Sequence, residues 1–258
     1  MKIARIEWHG RELYARVDQE YHVLDADNLT AALTAEETGE KIPTSARLLS
    51  PVTPSKVVAL ACAYLADDRP FDPEKDRAPF IFFKPSSAVV GTRDNIEVPE
   101  VARGSIFESE LAVVMAKDCK KVTEDEALEY VLGYTICNDM SAPALMGQDG
   151  QWSRGKGLDT FCPIGPWIET ELDNPDDAHI TAHLTRNGQR LDLVDSSTRY
   201  QIWSAAQAIS YCSEYITLKA GDVISLGCPP GPIPVEEGDT VSITIDGIGT
   251  LENPVHFI

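Results

Sequence analysis

Turn-forming dipeptides divide much of the chain into short apolar segments, and this pattern restricts the fold more than any other feature of the sequence. Gly221-Asp222, Gly238-Asp239 and Asp246-Gly247 separate short segments near the C-terminus. Asn187-Gly188 divides residues 178–199 into two segments, which predicts a β-hairpin. Segments of this length, bounded by such turns, are typical of strands. The sequence therefore predicts a β-dominated fold.

Longer apolar segments predict strands at the centre of a sheet. Val57–Tyr64 is continuously apolar, as expected of a strand that is buried on both faces. Phe107–Lys117 begins with polar residues and then becomes apolar. Further strands are predicted at Pro79–Ser86 and Gly133–Asn138. The polar, proline-rich residues 66–79 are predicted to form a surface loop.

Two helices are predicted in the second half of the chain. Thr123–Val131 offers Thr123 as an N-cap and Glu126 at the capping-box position, followed by an apolar stripe. Residues 200–216 form an amphipathic pattern that predicts a second helix. Because strands outnumber these helices, we predict the α+β fold class.

The first fifty residues are predicted to form a small N-terminal domain. Residues 2–8 alternate between apolar and polar side chains, and two more short strands are predicted before residue 28. Residues 28–40 are predicted to form a short helix. Two prolines in the following LLSPVTPSK segment indicate a connection. We therefore expect residues 1–50 to be a small β/α domain and residues 51–258 to be the main domain.

The charge of the chain excludes several classes of partner. Its 258 residues carry 22 Lys and Arg against 41 Asp and Glu, a formal net charge of −19. Nucleic-acid binding and adhesion to anionic membranes both need clustered basic residues, so we expect neither. MKIARIEWHG has no apolar core of a signal peptide. The six cysteines form no CxxC pair and are predicted to be reduced thiols, as in a cytoplasmic protein.

Three carboxylates stand where predicted buried strands meet solvent. On a strand, Glu108 and Glu110 project to the same face, just before an apolar run. Asp139 follows the apolar strand that ends at Asn138. Carboxylate oxygens with few histidines favour Mg²⁺ or Mn²⁺ over Zn²⁺. The spacing alone also fits a solvated acidic pair, which is the more frequent meaning of such a pattern.

Several longer segments occur in order along most of the chain. They are PSKVVAL (54–60), FFKPSSAV (82–89), FESELAVVM (107–115), GYTICNDMSA (133–142), QWSRGKGLDTFCPIGPW (151–167), LKAGDVISLGCPPG (218–231) and GDTVSITIDGIGTLENPV (238–255). In these segments the chain resembles the fumarylacetoacetate hydrolase family. The resemblance implies a mixed β-sandwich roll, a homodimer, a bound Mg²⁺ or Mn²⁺, and a small 2-oxo or β-dicarbonyl acid as substrate.

The resemblance also assigns residues to the site. Glu108, Glu110 and Asp139 take the positions of the metal ligands, and Lys156 takes that of the lysine beside the metal. Lys84, which ends a predicted strand, offers another cation for the substrate, and Tyr64 is expected to flank the pocket.

Where family members contact substrate, this chain departs from the pattern. Asp67 and Pro70 stand where the family has a His and a Glu that activate water. Pro143 and Met146 replace an Arg and a Gln, and Cys228 replaces a Thr. A carboxyl group, with an unperturbed pKa of about 4, is a weaker base than a histidine at about 6.5. We therefore expect Asp67 to be a weak base, and Pro143, Met146 and Cys228 to form a more apolar substrate pocket.

Three functions remain open at this point. The first is a metal-dependent enzyme that stabilises an enolate and carries out decarboxylation or keto–enol isomerisation, in a specialised biosynthetic pathway, with Lys156 as an electrophile. The second is a hydrolase of C–C bonds with Asp67 as the base. The third is a non-catalytic binding or scaffold protein, against which the retention of Lys156 and all three carboxylates argues.

Overall fold

The computed structural model describes residues 1–65, 72, 74 and 78–258, and strands form most of its regular structure. The strands are β1 (Lys2–Trp8), β2 (Arg11–Val17), β3 (Tyr21–Leu24), β4 (Glu37–Ile42), β5 (Arg47–Leu49), β6 (Val57–Ala61), β7 (Phe80–Lys84), β8 (Val89–Val90), β9 (Ile96–Val98), β10 (Ser109–Met115), β11 (Val131–Asn138), β12 (Cys162–Glu169), β13 (His179–Arg186), β14 (Gln189–Ser197), β15 (Val223–Ser225), β16 (Thr240–Ile245) and β17 (Gly249–Phe257). The α-helices are α1 (Leu29–Ala32), α2 (Glu124–Ala127), α3 (Pro143–Asp149), α4 (Ser153–Lys156) and α5 (Ala205–Tyr215). Short 3₁₀ turns span Ser86–Ala88, Glu100–Ala102, Leu128–Tyr130, Pro175–Asp177 and Thr198–Tyr200. The β-dominated α+β class is confirmed.

Two sheets form the framework. In the described part of the chain, the larger has the order β4-β3-β2-β1-β12-β11-β10-β15-β6-β7, with β5 beside β1 and β8 beside β12. Its β15–β6 and β12–β8 pairs are parallel, so the sheet is mixed. The smaller has the order β14-β13-β16-β17-β9. Leu111 and Val113 of the larger sheet share one apolar core with Leu184 and Ile243 of the smaller. The predicted mixed sandwich is therefore confirmed.

The alternation of side chains along strand β10 determines on which face of the larger sheet Glu110 lies. Leu111 and Val113 belong to the core between the sheets, whereas Ala112 and Val114 belong to a second core on the opposite face. Because side chains alternate along a strand, Glu110 shares the face of Ala112. Strand β10 is buried along its whole length, so Glu110 is held at the buried end of a fixed strand.

The neighbouring strand brings a third carboxylate to the same place. Strands β10 and β11 are antiparallel, with Ser109 opposite Asn138. The next residue, Asp139, donates its backbone N–H to the carbonyl oxygen of Glu108 at 3.0 Å. Glu108 and Asp139, which are 31 positions apart in the sequence, therefore meet at the same end of two neighbouring strands because of strand register.

The N-terminal strands extend the larger sheet. Strand β1 pairs with β12, with Ile3 opposite Ile168, and β2 to β5 continue from it. The division into domains at residue 50 stays a prediction. The helix predicted over residues 28–40 is wrong beyond Ala32. Residues Glu37–Ile42 instead form strand β4, which pairs with β3. Gly39 in this strand has φ 86°, which is not a helical value. Local helix propensity is overridden there by pairing with a neighbouring strand.

The predicted capping box and the predicted hairpin turn are both present in the structure. Glu126 accepts a hydrogen bond from the backbone N–H of Thr123 at 3.1 Å, which confirms the predicted capping box, and α2 continues into a 3₁₀ turn. Ser204 and Gln207 form a second capping box at the start of α5. Asn187 and Gly188 both have positive φ, as the predicted hairpin turn requires. Among the residues that the structure describes, no helix is long and apolar enough to cross a membrane.

Candidate active site

A cavity of about 280 Å³ opens at the ends of strands β6, β10 and β11 of the larger sheet. Strands, helices α3 and α4 and the turn after β15 all contribute to its wall. Much of this wall is apolar and is formed by Leu60, Ala61, Met146, Pro229, Pro230 and Pro232. The acidic residues and Lys156 lie together on the remaining part. The cavity therefore combines a charged side with an apolar side.

Lys156 joins two of the carboxylates. Its ammonium donates to Oε2 of Glu108 at 2.6 Å and to Oδ2 of Asp139. Lys156 is only 4% exposed, and Ser141 Oγ supports Glu108 from the other side at 3.1 Å. Burial alone would lower the pKa of Lys156, but the Asp139 and Glu108 carboxylates outweigh it and raise that pKa. Lys156 therefore remains an ammonium at neutral pH.

Asp139 lies between two lysines. The fully buried ammonium of Lys84 donates to its Oδ1 at 2.5 Å and to the Met140 carbonyl oxygen at 2.9 Å, while Lys156 holds Oδ2. Burial would raise the pKa of Asp139, but Lys84 and Lys156 outweigh it and lower that pKa. Asp139 is therefore the most firmly ionised of the three carboxylates.

Glu110 has no lysine partner among the described residues. Its Oε2 accepts hydrogen bonds from Ser225 Oγ at 2.5 Å and from the Gly227 backbone N–H at 2.9 Å. Burial, with the Asp139 carboxylate as a second cause, raises the pKa of Glu110 well above its ordinary value. Burial and Asp139 also raise the pKa of Glu108, and Lys156 offsets this only in part. Ionisation of both glutamates is therefore disfavoured in this part of the site unless a cation binds beside them.

We expect Gly227→Ala to destabilise the protein more than Gly238→Ala. Both glycines have positive φ, at 91° and 80° respectively, so alanine strains the backbone at both. A Cβ at residue 227 would lie 2.7 Å from the Cβ of Ala63, whereas at residue 238 it would meet nothing within 4 Å. The crowding should add about 1–3 kcal/mol to the loss of unfolding free energy. Urea denaturation of both variants measures the difference, and equal losses would contradict the close approach.

The residues predicted to bind substrate and Asp67, the predicted base, fall into three groups. Tyr64, Met146 and Cys228 line the cavity. Lys84 lies behind Asp139, and Pro143 is exposed at the first turn of α3; neither belongs to the described lining. Asp67 lies outside the described residues. The roles assigned to these residues stay predictions.

Two aromatic side chains, Phe82 and Trp152, also line the cavity. The Trp152 ring contacts Phe82 edge-on, with ring centroids 5.4 Å apart. Lys156 Nζ lies 4.6 Å from the Phe82 centroid and 5.9 Å from that of Trp152, so both rings face its charge. Tyr64 contributes a buried hydroxyl that meets no hydrogen-bond partner of good geometry in the described part of the chain.

Helix α3 and the residues that support the carboxylates were not predicted. Helix α3 starts with Pro143 at its first turn and ends at Gly150 with φ 63°, which are the usual start and stop signals of a helix. Those signals could have located it. Ser141 and Ser225 carry no comparable signal, because their contacts depend on which strands are neighbours.

The donor set fits a divalent cation. Glu108, Glu110 and Cys228 each place one ligand atom within 4.8 Å of the other two, and Asp139 lies close enough to raise the pKa of both glutamates. Buried carboxylates that repel one another are stabilised when a cation binds between them. Oxygen donors of this kind suit Mg²⁺ and Mn²⁺. Glu108, Glu110 and Asp139, with Cys228 beside them, could therefore hold such an ion.

Comparison with known proteins gives the family. The family model for the fumarylacetoacetate hydrolase C-terminal domain matches residues 56–256. The chain is 33% identical over 279 residues to 2,4-didehydro-3-deoxy-L-rhamnonate hydrolase of Sphingomonas sp. strain SKA58, covering 99% of this chain and 96% of that protein. It is 38% identical to 5-carboxymethyl-2-hydroxymuconate delta-isomerase from Mycobacterium smegmatis, with a TM-score of 0.90 and complete coverage of both chains.

A metal-containing relative is also similar. Maleylpyruvate hydrolase from Sphingobium sp. SYK-6, solved with manganese(II) and pyruvate, is 26% identical with a TM-score of 0.82, covering 100% of this chain and 99% of that chain. The proteins compared thus include both isomerases and hydrolases. The match of the family model over most of the chain, on a fold shared with these enzymes, shows that the chain belongs to the fumarylacetoacetate hydrolase family.

Proposed function

We propose that the protein is a divalent-metal-dependent enzyme that acts on a 2-oxo or β-dicarbonyl acid, either interconverting its keto and enol forms or removing carbon dioxide. One observation carries the proposal: the buried ammonium of Lys156 lies between Glu108 and Asp139 on the wall of the cavity. A group that stays protonated can donate a hydrogen bond to an oxygen that gains negative charge. Both reactions develop negative charge on a substrate oxygen.

Lys156 retains a donor for that oxygen. An ammonium has three N–H groups. In the described part of the chain, two of them are directed to Glu108 and Asp139, and the third remains for a ligand in the cavity. In decarboxylation, the electron pair of the broken C–C bond moves to this oxygen, and the carbon later takes a proton from solvent. In isomerisation, a proton leaves carbon and the oxygen acquires one.

The charges of the site favour an anionic substrate once a cation is bound. When all three carboxyl groups are ionised, their charges and those of Lys84 and Lys156 sum to −3 + 2 = −1. A bound Mg²⁺ or Mn²⁺, held by Glu108, Glu110 and Asp139, would change this sum to +1 and would polarise a carbonyl oxygen as a Lewis acid. A local positive charge would attract an organic acid even though the whole chain carries −19.

The apolar side of the cavity suits the carbon chain of the substrate. Met146 offers an adaptable surface, and the buried Tyr64 hydroxyl could donate to a polar group of the substrate. The described lining contains no histidine, the usual base for activating water. This composition supports a reaction that needs no activated water.

Hydrolysis of a C–C bond is the second candidate, because two of the compared proteins are named hydrolases. In this reaction a water molecule attacks the carbonyl carbon, so a base is required. Asp67, outside the described residues, is the proposed base for that case.

Product analysis with oxaloacetate and with an acylpyruvate distinguishes these functions. We expect enol–keto exchange or release of carbon dioxide from oxaloacetate, abolished by EDTA, restored by Mg²⁺ or Mn²⁺, and retained in Asp67→Asn. Cleavage of the acylpyruvate, lost in Asp67→Asn, would instead establish hydrolysis. If calorimetry detects binding of either acid and neither is turned over, the protein is a binding protein and the proposal is wrong.

A further inference from the structure

The thiol of Cys228 lies among the oxygen donors of the site. Its Sγ and one carboxylate oxygen each of Glu108 and Glu110 all lie within 4.8 Å of one another. Asp139 is absent from this compact group, and both of its oxygens face lysine ammonium groups. This compact group of donor atoms therefore consists of two oxygens and one sulfur.

The backbone fixes Cys228 in this position. The preceding residue, Gly227, donates its N–H to Glu110, so the turn that carries the thiol is tied to a carboxylate of the site. Cys228 is half-buried and lines the cavity. Its thiol therefore has a defined place beside the carboxylates and access to a dissolved ion.

The surroundings of this thiol do not favour nucleophilic catalysis. A reactive cysteine needs a neighbouring positive charge that favours the thiolate. Around Cys228 the charged groups within 4.8 Å of its Sγ include the carboxylates of Glu108 and Glu110, which oppose a free thiolate. A divalent cation is the partner that reverses this balance, because a metal-bound thiol gives up its proton.

We propose that Cys228 is a metal ligand that makes the site bind thiophilic divalent ions, such as Zn²⁺ and Co²⁺, more tightly than Mg²⁺. The inference rests on the proposed metal site and adds a sulfur ligand to it. Thiolate sulfur favours these ions, whereas carboxylate oxygen alone suits Mg²⁺ and Mn²⁺. On binding, the Sγ–H bond breaks, the proton passes to solvent, and the sulfur electron pair forms the bond to the metal.

Titration with Co²⁺ tests the inference without any enzyme assay. Visible d–d absorption reports bound Co²⁺, and a near-ultraviolet charge-transfer band reports a sulfur ligand. We expect both in the wild-type protein, and we expect Cys228→Ser to lose the charge-transfer band and to bind Co²⁺ about 10–100-fold more weakly. Cys62→Ser is the matched control, because Cys62 also lines the cavity but lies outside the compact group; it should keep the band.

The outcomes separate this inference from the proposed function. Bound Co²⁺ without a charge-transfer band, or a band lost in Cys62→Ser instead, would overturn the sulfur ligand alone. The absence of Co²⁺ binding by spectroscopy and calorimetry would overturn the metal site as well.

A second measurement needs no variant. Alkylation of the wild-type protein, mapped by mass spectrometry, should show that Zn²⁺ protects Cys228 much more than Mg²⁺ does, while Cys62 reacts equally in both. Equal labelling of Cys228 with the two ions would contradict the inference even if Cys228→Ser did not fold.

Discussion

Replacing Lys156 with methionine is expected to lower the free energy of unfolding by about 3–5 kcal/mol in EDTA and to reduce turnover by about 10²–10³-fold. The stability loss arises because Lys156 is buried between Glu108 and Asp139, and methionine leaves their charges without this partner. The loss of turnover arises because no ammonium remains to donate to the substrate oxygen. Urea denaturation and kcat measurements check the two effects separately.

Two further variants test whether the loss of stability in Lys156→Met comes from the buried charges. Lys41→Met removes an exposed lysine that lies 3.7 Å from Glu20, and it should cost no more than about 1 kcal/mol. Adding Glu108→Gln to Lys156→Met should restore much of the stability, because Asp139 keeps its pair with Lys84. Turnover should remain low in that double variant. A Lys156→Met protein as stable as the wild type would contradict the buried charge network.

Glu110→Gln is expected to stabilise the metal-free protein at neutral pH while weakening metal binding by about 100-fold or more. Gln is close in shape to Glu, and its amide oxygen can still accept from Ser225 and Gly227. It removes a buried negative charge that has no cationic partner among the described residues. The same charge is what a divalent cation needs, so the variant should lose metal-dependent turnover.

The pH dependence of this effect has a definite sign. The folded-state pKa of Glu110 lies above the ordinary glutamate value of 4.5. A raised carboxyl pKa stabilises the fold below the unfolded-state value, and this contribution is lost as the pH rises through the folded-state pKa. In EDTA, the advantage of Glu110→Gln over the wild type should therefore be absent below about pH 4.5 and should grow as the pH rises.

Denaturation midpoints measured in EDTA across this pH range test the prediction. Glu129→Gln is the matched control, because Glu129 is exposed on the 3₁₀ turn after α2 and should show no such trend. Repeating the series in saturating Mn²⁺ should reverse the order of the two proteins, since only the wild type gains stability from bound ion. An advantage that shrinks with rising pH would be incompatible with a buried, unpaired Glu110.

The fold could be predicted where local pattern and tertiary pairing agree. The apolar run of β6, the hairpin turn at Asn187 and the capping box at Thr123 each carry their own signal. Residues 37–40 were mispredicted because pairing with β3, which no local signal indicates, determines their conformation. The implied homodimer and the cytoplasmic location stay predictions.

The site could likewise be predicted only where a local pattern of the sequence indicates it. Strand periodicity was enough to put Glu108 and Glu110 on one face, and the end of the next apolar strand indicated Asp139. The family resemblance then added the role of Lys156. No local pattern could show that Lys84 lies behind Asp139, because this depends on the pairing of β7 with β6 at the edge of the sheet. The proximity of Cys228 to the glutamates likewise depends on β15 lying beside β10.

The two sides of the cavity come from parts of the chain with different tolerance to mutation. Glu110 lies on the buried strand β10, and Asp139 directly follows the buried strand β11, where a changed side chain disturbs pairing and packing on both sides. Met146 lies on a short helix, and Pro229 and Pro230 lie on a turn, where substitutions disturb fewer neighbours. Descendants of one ancestral gene could therefore diverge in substrate preference through the helix and the turn while inheriting the same reaction centre. The chain's own departures at Pro143, Met146 and Cys228 are in such segments, outside the strands.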